Sequence, residues 1–285
     1  MNASIQFKQA IEYIDSLPAM PVIAQKILFL NLGTPEGEDK LLKLIELDPA
    51  ISAKIIGLSK STLYGSPGMI ASVKEATMRL GLQTVKSVAI GLATIEALHK
   101  TTGSQLGKTE LWTRSIAVAM AMKVIAKHMP PRQRPLDDQI FLAGLLHDIG
   151  YIVIDYISPM TCDSLLSHFD AENDAELLAL EKQVLSMSHG EIGGKLSAYW
   201  DLPEEIGAVV RFHHNKGHSG AEVGQPLVRL VYLAERILTP FGIKEGAPQI
   251  EQMDWLELGI NPGKAEEIVN EVQQAASNVN QFFHI

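Results

Sequence analysis

Thr84-Val-Lys-Ser-Val-Ala-Ile-Gly-Leu-Ala-Thr-Ile-Glu-Ala-Leu-His99 sets the fold class. Val85, Val88, Ala89, Leu92 and Ile95 recur at the i, i+3, i+4, i+7 spacing of an amphipathic helix. The same period returns in Ile116, Met120 and Val124. It returns again toward the C-terminus in Ala265, Ile268, Val269, Val272, Ala276 and Val279. Helix starts are signposted between these stripes. Asp48-Pro49 and Asn261-Pro262 each set a capping side chain before a proline at the first helical position. Ser188-His-Gly-Glu191 has capping-box spacing, and Pro203-Glu204-Glu205 puts acids where a helix dipole favours them. Tyr151-Ile-Val-Ile154 has strand-like composition but is short and has no hairpin partner. The reading is therefore all-α, a multi-helix bundle.

The whole composition agrees. Of 285 residues 46% are apolar, too many for a disordered chain, and only 6% are aromatic, so aliphatic side chains and methionine must fill the core. The single cysteine, Cys162, permits no internal disulfide and no cysteine zinc site, which fits a cytoplasmic location. The first residues carry acids and no apolar core run, so no signal peptide is expected, and no membrane span is expected either. A net charge of −9 opposes direct nucleic-acid binding. Thr101-Thr-Gly-Ser-Gln-Leu-Gly107 is polar and lies between helical patterns. It divides an N-terminal helical lobe, residues 1–105, from a second helical lobe, residues 106–285.

The candidates for chemistry sit in the second lobe. His147-Asp148 closes the apolar run Ile140–Leu146, His189 opens one helix and His213-His214 close another. Imidazole plus carboxylate is a common donor set for divalent metals, and helical bundles often bring such groups together in their interior. The plain alternative is a set of hydrogen-bonded pairs at helix ends, where histidine also suits the dipole.

Leu145-Leu-His-Asp-Ile-Gly150 resembles the signature of the HD superfamily of metal-dependent phosphohydrolases. The chain as a whole resembles the HDOD domain. Leu17-Pro-Ala-Met-Pro-Val22, Asp48–Ile56, Lys60-Ser61, Tyr64-Gly65, Ile70–Ala76 and Leu80-Gly81 carry that likeness in the first lobe. Leu111-Trp112, Ser115, His189–Gly193, Trp200-Asp-Leu-Pro203 and His213-His214 carry it in the second, so it covers roughly residues 10–240. It implies a bacterial, cytoplasmic signalling protein whose helical N-terminal lobe packs on an HD-like helical domain.

The resemblance also implies a site, and here the chain departs from the pattern. An intact two-metal HD site has an early histidine, the His-Asp pair, three further histidines and a late aspartate. His147, Asp148, His189, His213 and His214 match. The early histidine position holds Arg114 and the late aspartate position holds Glu235. Arginine offers no lone pair and keeps its proton, so it cannot ligate a metal. The expectation is that Arg114 pairs with Asp148 or Glu235 and plugs the first metal position. The second position keeps donors for one divalent ion: manganese, iron, zinc, nickel or magnesium.

Two functions follow from this reading. One is a regulatory protein with a degenerate site, acting through a protein partner or a small anionic ligand such as a nucleotide, with a homodimer as a further form. The other is a metal-dependent phosphohydrolase or phosphodiesterase using the surviving donors. Arginine at position 114 favours the regulator. Residues 108–134 carry six basic side chains against Glu110 alone, which reads either as an anion-docking face or as a solvated helix and loop.

Overall fold

The computed structural model describes residues 17–60, 64, 70–98, 108–166, 174–238 and 250–283. Among the described residues there are helices and turns and no strand. The first group is α1 (Val22–Leu28), α2 (Pro35–Glu46), α3 (Pro49–Ser59), α4 (Val73–Leu80) and α5 (Leu82–Leu98). The next is α6 (Lys108–Lys127), α7 (Asp137–Leu146), α8 (Ile149–Ile157), α9 (Pro159–Leu166) and α10 (Asp174–Leu185). The last is α11 (His189–Tyr199), α12 (Glu204–Phe212), α13 (Leu227–Ile237), α14 (Gln252–Leu256) and α15 (Ala265–Phe283). The polar junction at residues 101–107 lies outside the described residues.

The capping signals act as their chemistry dictates. Asp48 Oδ1 accepts from the amides of Ala50 and Ile51, both at 3.0 Å, and Pro49 occupies the first turn of α3. Asn261 accepts from the Gly263 amide at 2.9 Å and starts a 3₁₀ turn that leads into α15. Ser188 and Glu191 form the reciprocal capping box that opens α11. Tyr151–Ile154 lies inside α8, buried on all sides by other helices, so its β-branched residues serve packing.

The stretch that set the fold class is buried further round than an amphipathic stripe. Thr84, Ser87, Gly91 and Thr94 of α5 are buried beside Val85, Val88, Ala89 and Leu92. The reason is position: α5 packs against α1, α3 and α4 on one side and against α7 and α8 on another. A helix enclosed in this way has little exposed face to keep polar. The hydroxyl of Ser87 meets its buried polar requirement by donating to the Asp138 carbonyl at 2.9 Å. Residues 137–157 are long and apolar enough to cross a membrane by length and composition, but 83% of the most apolar window is buried inside the protein.

α6 is the spine of the remaining helices, with α7, α13 and α15 packed along it. α8 lies on α11, and α11 on α12. Gly150 permits the first of these crossings. A Cβ there would come within 2.0 Å of the His189 carbonyl oxygen. Trp200 is the C-cap of α11. Its ring is buried and its Nε1 donates to the Pro18 carbonyl at 3.0 Å, tying the start of the described chain to this layer.

Candidate metal centre

The helix ends of the second layer converge on one buried point. The helix is interrupted between α7 and α8, with His147 as C-cap and Asp148 as N-cap. An N-cap aspartate ordinarily accepts from the amides of its own first turn. Asp148 does not, and its carboxylate turns inward. His189 is the first residue of α11, His213 is the C-cap of α12, and Glu235 sits on the buried face of α13. Arg114 reaches in from α6.

Around Asp148 Oδ2 the groups are charged. Arg114 Nε lies 3.3 Å from this oxygen, and Arg114 Nη2 donates to Glu235 Oε1 at 3.0 Å. His147 Nδ1 donates to the Gly144 carbonyl at 2.8 Å. That bond aims His147 Nε2 at Asp148 Oδ2, 3.1 Å away, and at Glu235 Oε1, 3.5 Å away. Burial alone would lower the His147 pKa, but the Asp148 and Glu235 carboxylates override it and push the imidazole up to about 10. Burial opposes ionisation of Asp148, yet His147 and Arg114 hold its carboxyl well below the ordinary range. Glu235 is held low as well, against its burial, by His214, His147 and His213. With His147 protonated, two cations meet two anions and this half is electrically balanced.

Around Asp148 Oδ1 the groups are lone-pair donors. His189 Nδ1 lies 2.8 Å from Glu181 Oε1, and a carboxylate there requires a proton on Nδ1. His213 Nδ1 lies 3.0 Å from the Val210 carbonyl and 3.2 Å from that of Val209, so it too carries the proton. In the neutral rings both Nε2 atoms are therefore bare lone pairs. They face each other at 3.1 Å, and lie 3.5 and 3.6 Å from Asp148 Oδ1. Burial and the neighbouring His214 keep the His213 pKa well below the usual histidine value, so its lone pair is available near neutrality. The His214 ring is tilted against His213 at 4.2 Å, and His189, His213 and His214 each offer a ligand atom within 4.8 Å of the others. Converging lone pairs beside a carboxylate repel one another unless a cation sits among them. On that ground the residues fit a divalent ion held by nitrogen and oxygen. His147, Asp148 and Glu235 form a second group within the same limit, but there the Arg114 guanidinium already supplies positive charge.

All seven residues singled out in the sequence thus meet in one cluster. Two that were not singled out complete it. Glu181 of α10 is fully buried, and Tyr151 of α8 donates to it at 2.6 Å. No spacing in the sequence marks either of them. Three side chains of the basic run 108–134 make internal contacts, while Lys127 and Arg132 are exposed. Arg114 enters the centre, Lys123 pairs with Asp137 at 3.2 Å, and Arg134 donates to the carbonyls of Lys127 and Met129. Cys162 is buried, and burial with nearby acids pushes its thiol up to about 12, which suits no nucleophile.

A sequence model of the HDOD domain matches residues 17–216. An uncharacterized protein of Treponema pallidum (strain Nichols) is 25% identical over 230 residues, 80% of this chain and 44% of that one. The chain thus spans less than half the length of that curated relative. Among solved structures, a candidate signal transduction protein from Marinobacter aquaeolei VT8 is 27% identical with a TM-score of 0.78, over 99% of this chain and 65% of that one. An HDOD domain protein of unknown function from Geobacter sulfurreducens shares the fold at 21% identity and TM-score 0.76, over 99% of each chain. A candidate metal-dependent phosphohydrolase from Shewanella amazonensis SB2B shares it at 23% and 0.65, over 98% and 99%.

Proposed function

The chain belongs to the HDOD domain family, and from that premise we propose that it is a signal-transduction module that regulates through a protein partner or a small anionic ligand and does not turn over phosphoesters. The observation that carries this reading is the guanidinium of Arg114, 3.3 Å from Asp148 and 3.0 Å from Glu235. Two-metal hydrolysis needs a second ion about 3.5–4 Å from the first, to activate water and steady the leaving oxygen. A fixed cation bound to both carboxylates repels that ion and takes its counter-charges. The likeness to the Marinobacter aquaeolei protein points the same way.

The other half of the centre is kept for one divalent ion. His189, His213, His214 and Asp148 would hold it, and when bound it supplies a Lewis-acid contact for an anionic oxygen. The side chains do the rest. Glu181 and the α12 carbonyls hold the two imidazoles with Nε2 inward, and Arg114, 24% exposed, is the charged group nearest the surface.

Elemental analysis of the purified protein, paired with a Mn²⁺-dependent phosphodiester assay, tests this. The expected result is a single class of metal site, emptied by His213→Ala, and no turnover above a metal blank. Turnover that disappears in Asp148→Ala would overturn the regulatory reading in favour of a hydrolase.

A further inference from the structure

The orientation of His189 is set from outside the donor cluster. Glu181 has no exposed surface, and among the described residues no lysine or arginine pairs with it. Its charge is instead held by three donors. Tyr151 Oη donates to Oε1 at 2.6 Å, the His189 amide donates to Oε2 at 2.9 Å, and His189 Nδ1 lies 2.8 Å from Oε1. The Tyr151 ring also stacks on the His189 imidazole, with centroids 4.2 Å apart and planes 18° from parallel. One residue therefore grips both the imidazole face and the carboxylate that orients it.

We infer that Glu181 and Tyr151 are a positioning pair that fixes His189 as the Nδ1–H tautomer and thereby sets the affinity of the centre for a divalent cation. This rests on the reading of His189 and His213 as donors. Tautomer is the first reason. Only with the proton on Nδ1 does the Nε2 lone pair face His213 and Asp148. Charge is the second. Arg114 and protonated His147 are already matched by Asp148 and Glu235, so a divalent ion brings two further positive charges into a buried volume. Among the described residues Glu181 is the remaining buried carboxylate in contact with the cluster. A carboxylate behind a ligating imidazole also makes that nitrogen a stronger donor.

Glu181→Gln is the direct test, because it keeps the shape and removes the charge. The glutamine NH₂ can donate to Nδ1, which moves the ring proton to Nε2 and turns the lone pair out of the centre. Two readouts are taken on the full chain, with folding checked by its melt. Zn²⁺ affinity, measured by competition with a chromophoric chelator, is expected to fall roughly 10–100-fold. Long-range ¹⁵N–¹H spectra of the metal-free protein are expected to show His189 as Nδ1–H in the wild type and as Nε2–H in the variant. Tyr151→Phe keeps the stacking and removes one donor, so it should give a smaller loss of affinity. It carries the test should Glu181→Gln fail to fold. Wild-type affinity and an unchanged tautomer in the variants would overturn the inference. A wild type that takes no Zn²⁺ but shows the tautomer change supports the positioning role and overturns the cation site itself.

Discussion

On the Arg114 side of Asp148 the groups are charged and matched, cation against carboxylate. On the His189 side two imidazole nitrogens point their lone pairs at the other oxygen of the same carboxylate. The two halves share Asp148 and comparable burial, yet they call for opposite things. The first is balanced by protein groups alone, whereas the second gathers donor atoms that could hold a cation. The difference comes from one side chain. A histidine at position 114 would have made the halves alike, and an arginine there fills one of them.

The largest expected effect comes from removing that arginine. Arg114→Met leaves Asp148 and Glu235 facing His147 with one cation too few. Breaking a buried pair by deleting one partner costs about 3–5 kcal/mol, and partial exposure of Arg114 puts the expectation near the low end. Denaturant melts of the metal-free protein should show that loss. Mn²⁺ should then raise the midpoint of the variant more than that of the wild type, because the vacated half has become a second cation site. A variant as stable as the wild type would mean that the two halves do not differ in the way described.

The matched half should also write itself into the pH dependence. His147 is held at about 10 against about 6.5 when unfolded, so its contribution is complete below pH ~6.5 and is lost as pH rises toward 10. Asp148 and Glu235 are held low, so theirs is complete above pH ~4 and is lost on further acidification. His213 belongs to the other half and is held low. Its cost appears as pH falls below ~6.5, where the unfolded chain takes up a proton that the folded one refuses. Chelated protein should therefore be most stable near pH 6–7, with an alkaline limb of up to about 1.4 kcal/mol per pH unit. His147→Gln should flatten the alkaline limb and leave the acid limb in place. An alkaline slope unchanged in that variant would take the charge off His147.

This contrast also separates what the sequence exposes from what it hides. His147, Asp148, His189 and His213 are legible because each lies at a helix end marked by local signals: an apolar run that stops, a capping box, a glycine-rich loop. Arg114 and Glu235 are legible as departures from a family pattern, though only folding packs α6 on α13 and brings both side chains to Asp148. Glu181 and Tyr151 are not legible. An acid in the middle of α10 and a tyrosine in an apolar run have ordinary surface and core readings. Their meeting depends on how α8 and α10 come together beside His189, a tertiary fact with no local spacing. The wide burial of α5 was hidden for the same reason, since periodicity reports one face and cannot report a second layer.

The smallest expected effect is the most selective. Ser188 caps α11, accepting from the Glu191 amide at 3.2 Å, and His189 is the next residue. Ser188→Ala should cost about 1 kcal/mol, the usual worth of such a cap. The cost should fall on one half only. Loosening the first turn of α11 moves His189 relative to His213 and Asp148, while Arg114, His147 and Glu235 hang from α6, α7 and α13 and keep their contacts. Amide exchange should quicken at residues 189–192 and stay unchanged near 147 and 235, and Zn²⁺ affinity should weaken while the alkaline limb set by His147 persists. If the alkaline limb weakened together with the metal affinity, the two halves would be mechanically one, and the division at Asp148 would be a difference of charge without a difference of support.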